Sequence, residues 1–305
     1  MTTFSNLSAA VAALLSPGAG AAKAAPASAL PAVQFEEPVT PFRWSNPAAI
    51  EARPSARGVF ANAGFYYGEF RGRKLELEEV LVGITPTENV TAWFSRQDVL
   101  LKGRSRTSRF DVQADTYGVR WVVKPPKDED DMSLALEFEA TRPDTASART
   151  NNAAATYVAT KNNRFAVAGA FKGGLIGQLA FTRVEGVNGE EANVYALGAA
   201  KDLELSDRFR LRLQGQIIGQ NIRNTSDDAD MEFKPVGFVA LGYRLAKGVF
   251  LEGDVTFMPS GTPLSVGRLS ALTSFQIYRP GGVAANLRED AFATGSLRLV
   301  VRQSF

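Results

Sequence analysis

The stretch Asp207-Arg208-Phe209-Arg210-Leu211-Arg212-Leu213-Gln214-Gly215-Gln216-Ile217-Ile218-Gly219 changes character at almost every step. Phe209, Leu211, Leu213, Gly215 and Ile217 share one face; Arg208, Arg210, Arg212, Gln214 and Gln216 share the other. Successive strand side chains point to opposite sides, so this segment is a ribbon with one dry and one wet face. The pattern recurs. Met132, Leu134, Leu136, Phe138 and Ala140 oppose Ser133, Glu137 and Glu139. Val249, Leu251, Gly253, Val255 and Phe257 oppose Glu252, Asp254 and Thr256. Ala293, Gly295, Leu297, Leu299, Val301 and Phe305 oppose Thr294, Ser296, Arg298 and Arg302.

A soluble β-sandwich or barrel turns the dry face inward, whereas a transmembrane barrel turns it to lipid. Length separates the two. Soluble strands usually run to about five or six residues. Several segments here reach about ten or more, the length a tilted strand needs to cross a bilayer. Leu211, Leu213, Val255 and Leu299 are therefore expected to face lipid. Phe233 and Tyr243 share a face, and strand rise and tilt place them roughly 25 Å apart along the membrane normal, the spacing of two interfacial aromatic girdles.

Composition narrows the function. Lys and Arg number 34 against 32 Asp and Glu, a formal charge of +2 in 305 residues. That balance argues against a nucleic-acid binder. Cysteine and histidine are both absent. This removes disulfides, thiol catalysis, cysteine-ligated metal, the usual general base and the commonest metal ligand. Mean hydropathy is −0.10, and no run approaches the roughly 18 apolar residues of a spanning helix. Neither a cofactor nor a metal is expected.

Residues 1–57 have a different texture. Residues 1–33 are rich in alanine, with an apolar core from Ala9 to Leu15 followed by Ala22-Lys23-Ala24 and Ala25-Pro26-Ala27. An apolar core followed by small-x-small triplets predicts a secretory signal peptide, although no Lys or Arg precedes the core; the alternative is a disordered Ala-rich leader. Residues 34–57 carry Pro38, Pro41, Pro47 and Pro54 without periodicity, and read as an extended periplasmic arm. The barrel is expected over 58–305.

Two segments change phase. Phe110, Val112 and Ala114 give way to Tyr117, Val119, Trp121 and Val123, and Leu75 and Leu77 give way to Val80, Val82 and Ile84. A β-bulge in each would account for the slip.

The terminal run Gly295-Ser296-Leu297-Arg298-Leu299-Val300-Val301-Arg302-Gln303-Ser304-Phe305 resembles the last strand of bacterial outer-membrane β-barrel proteins, a porin-like class. Such strands end on an aromatic residue that the barrel-assembly machinery reads. The resemblance implies an assembly signal formed by Leu297, Leu299, Val301 and Phe305; Gln303 departs from the usual hydrophobic residue. The hairpins at 200–208 and 243–253 are similar in style. The resemblance covers about 58–305 and implies an all-β, antiparallel transmembrane barrel in the bacterial outer membrane. Its partners would be outer-membrane lipid, the barrel-assembly machinery and small polar solutes, with no nucleic acid.

Such barrels have an even strand number, short periplasmic turns and longer outer loops. Strands at 58–70, 74–84, 88–95, 109–123, 131–141, 153–160, 164–184, 191–201, 206–220, 233–245, 248–258 and 290–305 make twelve. Periplasmic turns then fall near Pro86, 125–130, Asn162-Asn163, 202–205 and Ala246-Lys247. Outer loops fall at 71–73, 96–108, 142–152, 185–190, 221–232 and 259–289. A rival count of fourteen splits 164–184 at Lys172-Gly173-Gly174 and adds a strand at 269–278.

The outer-membrane barrel enzymes that such a resemblance brings in, phospholipases, lipid A deacylases, palmitoyltransferases and aspartyl-type proteases, use histidine, and this chain has none. The carboxylate pairs Glu76/Glu78, Asp111/Asp115, Glu137/Glu139 and Glu252/Asp254 could do acid/base work or bind a hard cation; lining a hydrated lumen is the preferred reading. The acidic run 128–131 lacks the spacing of a calcium loop, and the glycines of 169–177 lack the phosphate-loop pattern. No catalytic set is expected.

The expected function is a passive channel for small polar solutes or ions. Its lumen would be lined by Arg208, Arg210, Arg212, Glu137, Glu139, Glu252, Asp254, Arg298 and Arg302. Arginines on the ninth strand facing acids on the opposite wall would set a field across the pore. The alternative is that these charges pair across adjacent strands and fill the interior of a barrel this narrow. A non-conducting structural or adhesive barrel and a soluble exported β-protein are the other readings.

Overall fold

Every connection between consecutive strands of this chain is antiparallel, and the last strand returns to the first. The computed structural model describes residues 44, 49–70, 73–102, 109–127, 131–144, 160–186, 191–223, 229–258 and 292–305. Twelve strands follow in order: β1 (Gly58–Phe70), β2 (Arg73–Thr87), β3 (Val90–Lys102), β4 (Arg109–Lys124), β5 (Ser133–Pro143), β6 (Thr160–Phe171), β7 (Leu175–Gly186), β8 (Glu191–Glu204), β9 (Phe209–Arg223), β10 (Ala229–Ala246), β11 (Val249–Met258) and β12 (Phe292–Ser304). They form a closed barrel in which each strand pairs with its chain neighbours and β12 pairs with β1. Val249 pairs with Val301 and Met258 with Phe292, so β11 and β12 are direct partners and the ring closes at twelve.

One rim, the turn end, carries the start of β1, the C-terminus and the connections 88–89, 125–132, 172–174, 205–208 and 247–248. The opposite rim, the loop end, is where β1, β3, β5, β7, β9 and β11 finish and where β2, β4, β6, β8, β10 and β12 begin. Gly248 makes one tight turn. Its φ is +69°, and a Cβ there would lie 2.3 Å from the carbonyl oxygen of Arg302, so only glycine fits without strain.

The expected count of twelve stands, but two of its strands are placed differently. Residues 153–159 and the segment 269–278 lie outside the described residues. Asn162 and Asn163 sit within β6 and do not form a turn. The span 164–184 is a hairpin that turns at Lys172-Gly173-Gly174, with φ of +73° and +76° at the two glycines. Paired left-handed glycines reverse the chain more readily than two asparagines with strand partners on both sides.

The proposed bulges at the two phase changes are also absent. The β1–β2 ladder runs unbroken from Gly58↔Thr85 to Phe70↔Arg73, and the β3–β4 ladder from Val90↔Trp121 to Lys102↔Arg109. Register shifts in the barrel occur near the rims, at Ile84/Thr87, Val122/Lys124, Arg244/Ala246 and Ala229/Glu232. The phase reverses because the surroundings of the wall change along it. Toward the loop end the outward positions are polar: Glu78, Arg96, Asp98, Gln113 and Asp115, with Arg96 Nε donating to Asp115 Oδ1 at 2.9 Å. Toward the turn end the same outward parity carries Val82, Ile84, Tyr117, Val119 and Trp121, all exposed. A wall that meets water above and lipid below must exchange its outward residues at the boundary.

The apolar belt continues around the ring. Phe138, Leu179, Leu197, Leu213, Ile217, Val239, Val255 and Leu297 are exposed apolar residues on the outward face. Leu213, Val255 and Leu299 are exposed and Leu211 is half-buried, all at outward register positions. Aromatics border the belt on both sides: Phe181 against Tyr195 toward the loop end, and Phe209 against Tyr243, with centroids 4.5 Å apart, toward the turn end.

Candidate functional site

The inward parity of the twelve strands is largely polar, and its charges meet in three clusters. The first spans β11, β12 and β1 to β3. Arg298 faces Glu252 in register and donates from Nη1 to Asp254 Oδ2 at 2.8 Å. Its guanidinium carbon lies 4.4 Å from the centroid of the Tyr66 ring. Ser296 donates its hydroxyl proton to the same Asp254 oxygen. Tyr66 donates to Glu79 Oε2 at 2.9 Å, and Gln97 Nε2 donates to Glu79 Oε1 at 3.0 Å. Gly64 makes room, since a Cβ there would meet Arg298 Cγ at 2.8 Å.

The second cluster lies on β4 to β7. Arg120 donates from Nε and Nη2 to Glu137 Oε2 at 3.1 and 3.0 Å. Arg164 donates to the other oxygen of Glu137 and to Gln178 Oε1, the latter at 2.8 Å. Glu139 is paired in register with Arg164. Trp93 lies flat against Gly118, where a Cβ would come within 2.0 Å of the indole. Arg120 sits over that indole at 5.9 Å.

The third cluster joins β8 and β9 to the arm that precedes β1. Arg212 donates from Nε and Nη2 to the two oxygens of Asp202 at 2.6 and 2.7 Å. This is the bidentate fork that an arginine and a carboxylate form best. The third nitrogen, Nη1, donates to the carbonyl of Ile50 at 2.6 Å. Arg53 Nη2 reaches Asp202 Oδ2 at 2.7 Å and also binds Glu51. Trp44 Nε1 donates to Asp202 Oδ1 at 3.0 Å. At the rim, Arg210 pairs with Glu204 at 2.7 Å.

Arg210, Arg212, Glu137, Glu139, Glu252, Asp254 and Arg298 are thus buried in the interior. Arg302 is half-buried near the turn end, its guanidinium 5.7 Å over the Phe60 ring. Arg208 departs from the expectation: it precedes β9 and is exposed in the 205–208 turn, where its carbonyl accepts from Arg244 N–H at 2.9 Å. Glu76, Glu78 and Asp115 hold outward register positions, away from an opposite inner wall; the side chain of Asp111 lies outside the described residues. Among the described residues, Arg120, Arg164, Arg212 and Arg298 pair with acids on neighbouring strands. Leu297, Leu299 and Val301 lie on the outward side of β12, and Phe305 is exposed beyond it.

Sequence reasoning missed Tyr66, Glu79, Arg120, Arg164 and Asp202, although each sits at an inward parity position. It also missed Ile50, Glu51 and Arg53, which no periodicity marks. Among the described residues no group of three or more His, Cys, Asp or Glu side chains could hold a metal.

No protein-family model and no curated protein sequence matches the chain. Solved structures do resemble it. An outer membrane channel from Pseudomonas putida F1 aligns over 86% of this chain and 100% of its own, with 10% identity and a TM-score of 0.51. The NanC porin aligns over 80% and 99%, with 8% identity and a TM-score of 0.47, and the KdgM porin over 80% and 99%, with 10% identity and a TM-score of 0.39. At these identities the likeness is one of fold: the chain has the porin-like β-barrel architecture of bacterial outer-membrane proteins.

Proposed function

We propose that the protein is a passive outer-membrane channel for small polar solutes or ions, in its closed form. The carrying observation is the inner wall. It is lined by buried ion pairs and amides, Arg298–Asp254, Arg120–Glu137–Arg164 and Arg212–Asp202, inside a ring whose outer belt is apolar. A wall that needs no solute path is served as well by packed apolar side chains, because buried ion pairs add little net stability. The short connections lie on the periplasmic side, as in bacterial barrels. The exposed face of β12 and Phe305 engage the barrel-assembly machinery. The protein acts by passage and not by catalysis. Because Arg120, Arg164, Arg212 and Arg298 each have an acidic partner, ion selectivity is mild.

A non-conducting structural barrel is the second reading. It is favoured by the depth of packing, since Arg212, Arg298, Ile218 and Val300 are 0% exposed. Planar-bilayer recording of the purified protein separates the two. Discrete conductance steps above the lipid background, from the wild type or from a variant that loosens the interior, support the channel. Silence in every such variant supports the structural barrel.

A further inference from the structure

The N-terminal arm does not hang free of the barrel. It leaves β1 at the turn end, where Ser55 N–H donates to the carbonyl of Glu88 at 2.7 Å on the β2–β3 turn. Ile50 then rests on the far side of the ring. Its side chain shares an apolar cluster with Val122 of β4, Ala135 of β5, Ala168 and Ala170 of β6, Ile176 of β7 and Ala200 of β8. In a ring of twelve consecutive strands, β7 is diametrically opposite β1. Residues 50–55 therefore reach across the mouth, from the β2–β3 turn to the wall formed by β4 to β9.

The seat is specific. The barrel grips the main chain of Ile50 at both of its polar atoms: Gln214 Oε1 accepts from its N–H at 3.0 Å, and Arg212 Nη1 donates to its carbonyl at 2.6 Å. The wall beneath is built of small inward residues, Ala135, Ala168, Ala170, Gly198 and Ala200, which leave space for a peptide. A Cβ at Gly198 would stand 2.7 Å from Ile50 Cδ1. On the polar side, Arg53 and Arg212 share Asp202. Ala49, Ile50, Glu51 and Ala52 are all buried. Two backbone contacts, one apolar cup and one shared carboxylate make a peptide-binding site whose occupant is the chain itself.

We propose that residues 49–53 are a resident plug, held by this peptide seat across the turn-end mouth and closing the channel until the arm is withdrawn. This inference rests on the channel reading above. Its energetic design is a seat that holds by contacts to a segment outside the sheet, so the arm can leave while every strand ladder stays intact.

The test uses the full-length protein in planar bilayers. Ile50→Ser with Arg53→Gln removes the apolar anchor and the shared ion pair without touching a strand, and heat-modifiable migration checks that the barrel is folded. The chain lacks cysteine, so Ala52→Cys reports the seat through its reaction with a membrane-impermeant maleimide, and exposed Ala246→Cys supplies the reference rate. The wild type should be silent or conduct rarely, with Cys-labelling at position 52 far slower than at 246. In the double variant the labelling rate at 52 should rise about tenfold or more, since opening follows the free energy of the lost contacts, and conductance steps should appear. A second form, Ile50→Cys with Gly198→Cys, should be silent when oxidised and conduct when reduced, which reads the gate within one folded protein. A wild type that conducts as freely as the double variant, or a position 52 that labels as fast as 246, overturns the plug. A variant that releases the arm by labelling yet stays silent overturns the channel reading, and the plug then has nothing to close.

Discussion

Replacing Arg298 with glutamine tests whether the interior is held by paired charge. Arg298 is 0% exposed, lies 2.8 Å from Asp254, faces Glu252 in register and stacks over Tyr66 at 4.4 Å. Removing one member of a buried pair leaves the other charge without compensation, at a cost of about 3–5 kcal/mol. Here Asp254 loses the cation that it binds. The stacking on Tyr66 is worth about 2 kcal/mol when desolvated, but it overlaps the ion pair and does not add in full. A loss of about 4 kcal/mol is expected, a large share of the roughly 5–15 kcal/mol that holds a typical domain. Urea unfolding of the vesicle-reconstituted barrel, followed by tryptophan fluorescence and by heat-modifiable migration, measures it. Pairing the substitution with Asp254→Asn should recover at least about 1 kcal/mol of coupling, because the two residues are in contact. A loss below about 1 kcal/mol for Arg298→Gln alone, or additive behaviour in the double variant, would refute the view that this layer is electrostatically locked.

Arginine at Val255, an exposed site within the apolar belt, should cost roughly 2–4 kcal/mol near the midplane; quenching of a cysteine there by lipid-depth probes but not by aqueous ones confirms the facing. Gly118→Ala should cost about 1–3 kcal/mol through overpacking, because its Cβ would sit within 2.0 Å of Trp93, and a shifted tryptophan emission should accompany the loss. Deleting Phe305, whose N–H donates to the Arg57 carbonyl and whose ring lies under the Arg57 guanidinium, should lower the yield of folded protein in the outer-membrane fraction; unchanged yield removes the terminal signal. Asp131, in the β4–β5 connection, accepts from Lys124 Nζ and from the N–H groups of Lys127 and Met132. The Lys124 bond, then the two backbone bonds, hold its carboxyl below the usual carboxylate range. Its contribution to the turn is therefore present above the unfolded value of about 3.9 and lost as pH falls through the lowered folded value; amide exchange at Lys127 and Met132 should accelerate only in that acid window.

The strands from β8 to β12 were legible because their two faces meet two different media along most of their length, which is what period-two alternation records. The phase changes near Leu77 and Ala114 were legible as events but not as causes. Alternation reports which side is dry, and the dry side itself switches where the wall emerges from lipid. The hairpin at 160–186 was misdivided because Asn162 and Asn163 are common turn residues, whereas Gly173 and Gly174, with their left-handed backbone, make the turn. Parity placed Arg212, Glu137 and Arg298 on one surface but could not say that their partners are Asp202, Arg164 and Asp254, because cross-strand neighbours depend on register. Arg208 was one residue too early to join the sheet. The seat of Ile50 left no trace in any pattern, since two backbone contacts, an apolar cup and a shared carboxylate over five residues have no period.

The seam between β1 and β12 joins Gly58 to Ser304 and Glu69 to Ala293, positions near opposite ends of the folded chain. Contacts of such wide sequence separation form late, because the whole intervening chain must be organised before they are rewarded. The wall that receives Ile50 is drawn from β4 to β9, all of it complete before that seam exists. If residues 49–53 are the plug inferred above, the stopper is laid in an open trough and the staves are drawn together around it, which spares the arm from being threaded through a finished ring. Under that reading, a barrel assembled in this order within the membrane is shut from the moment its seam closes.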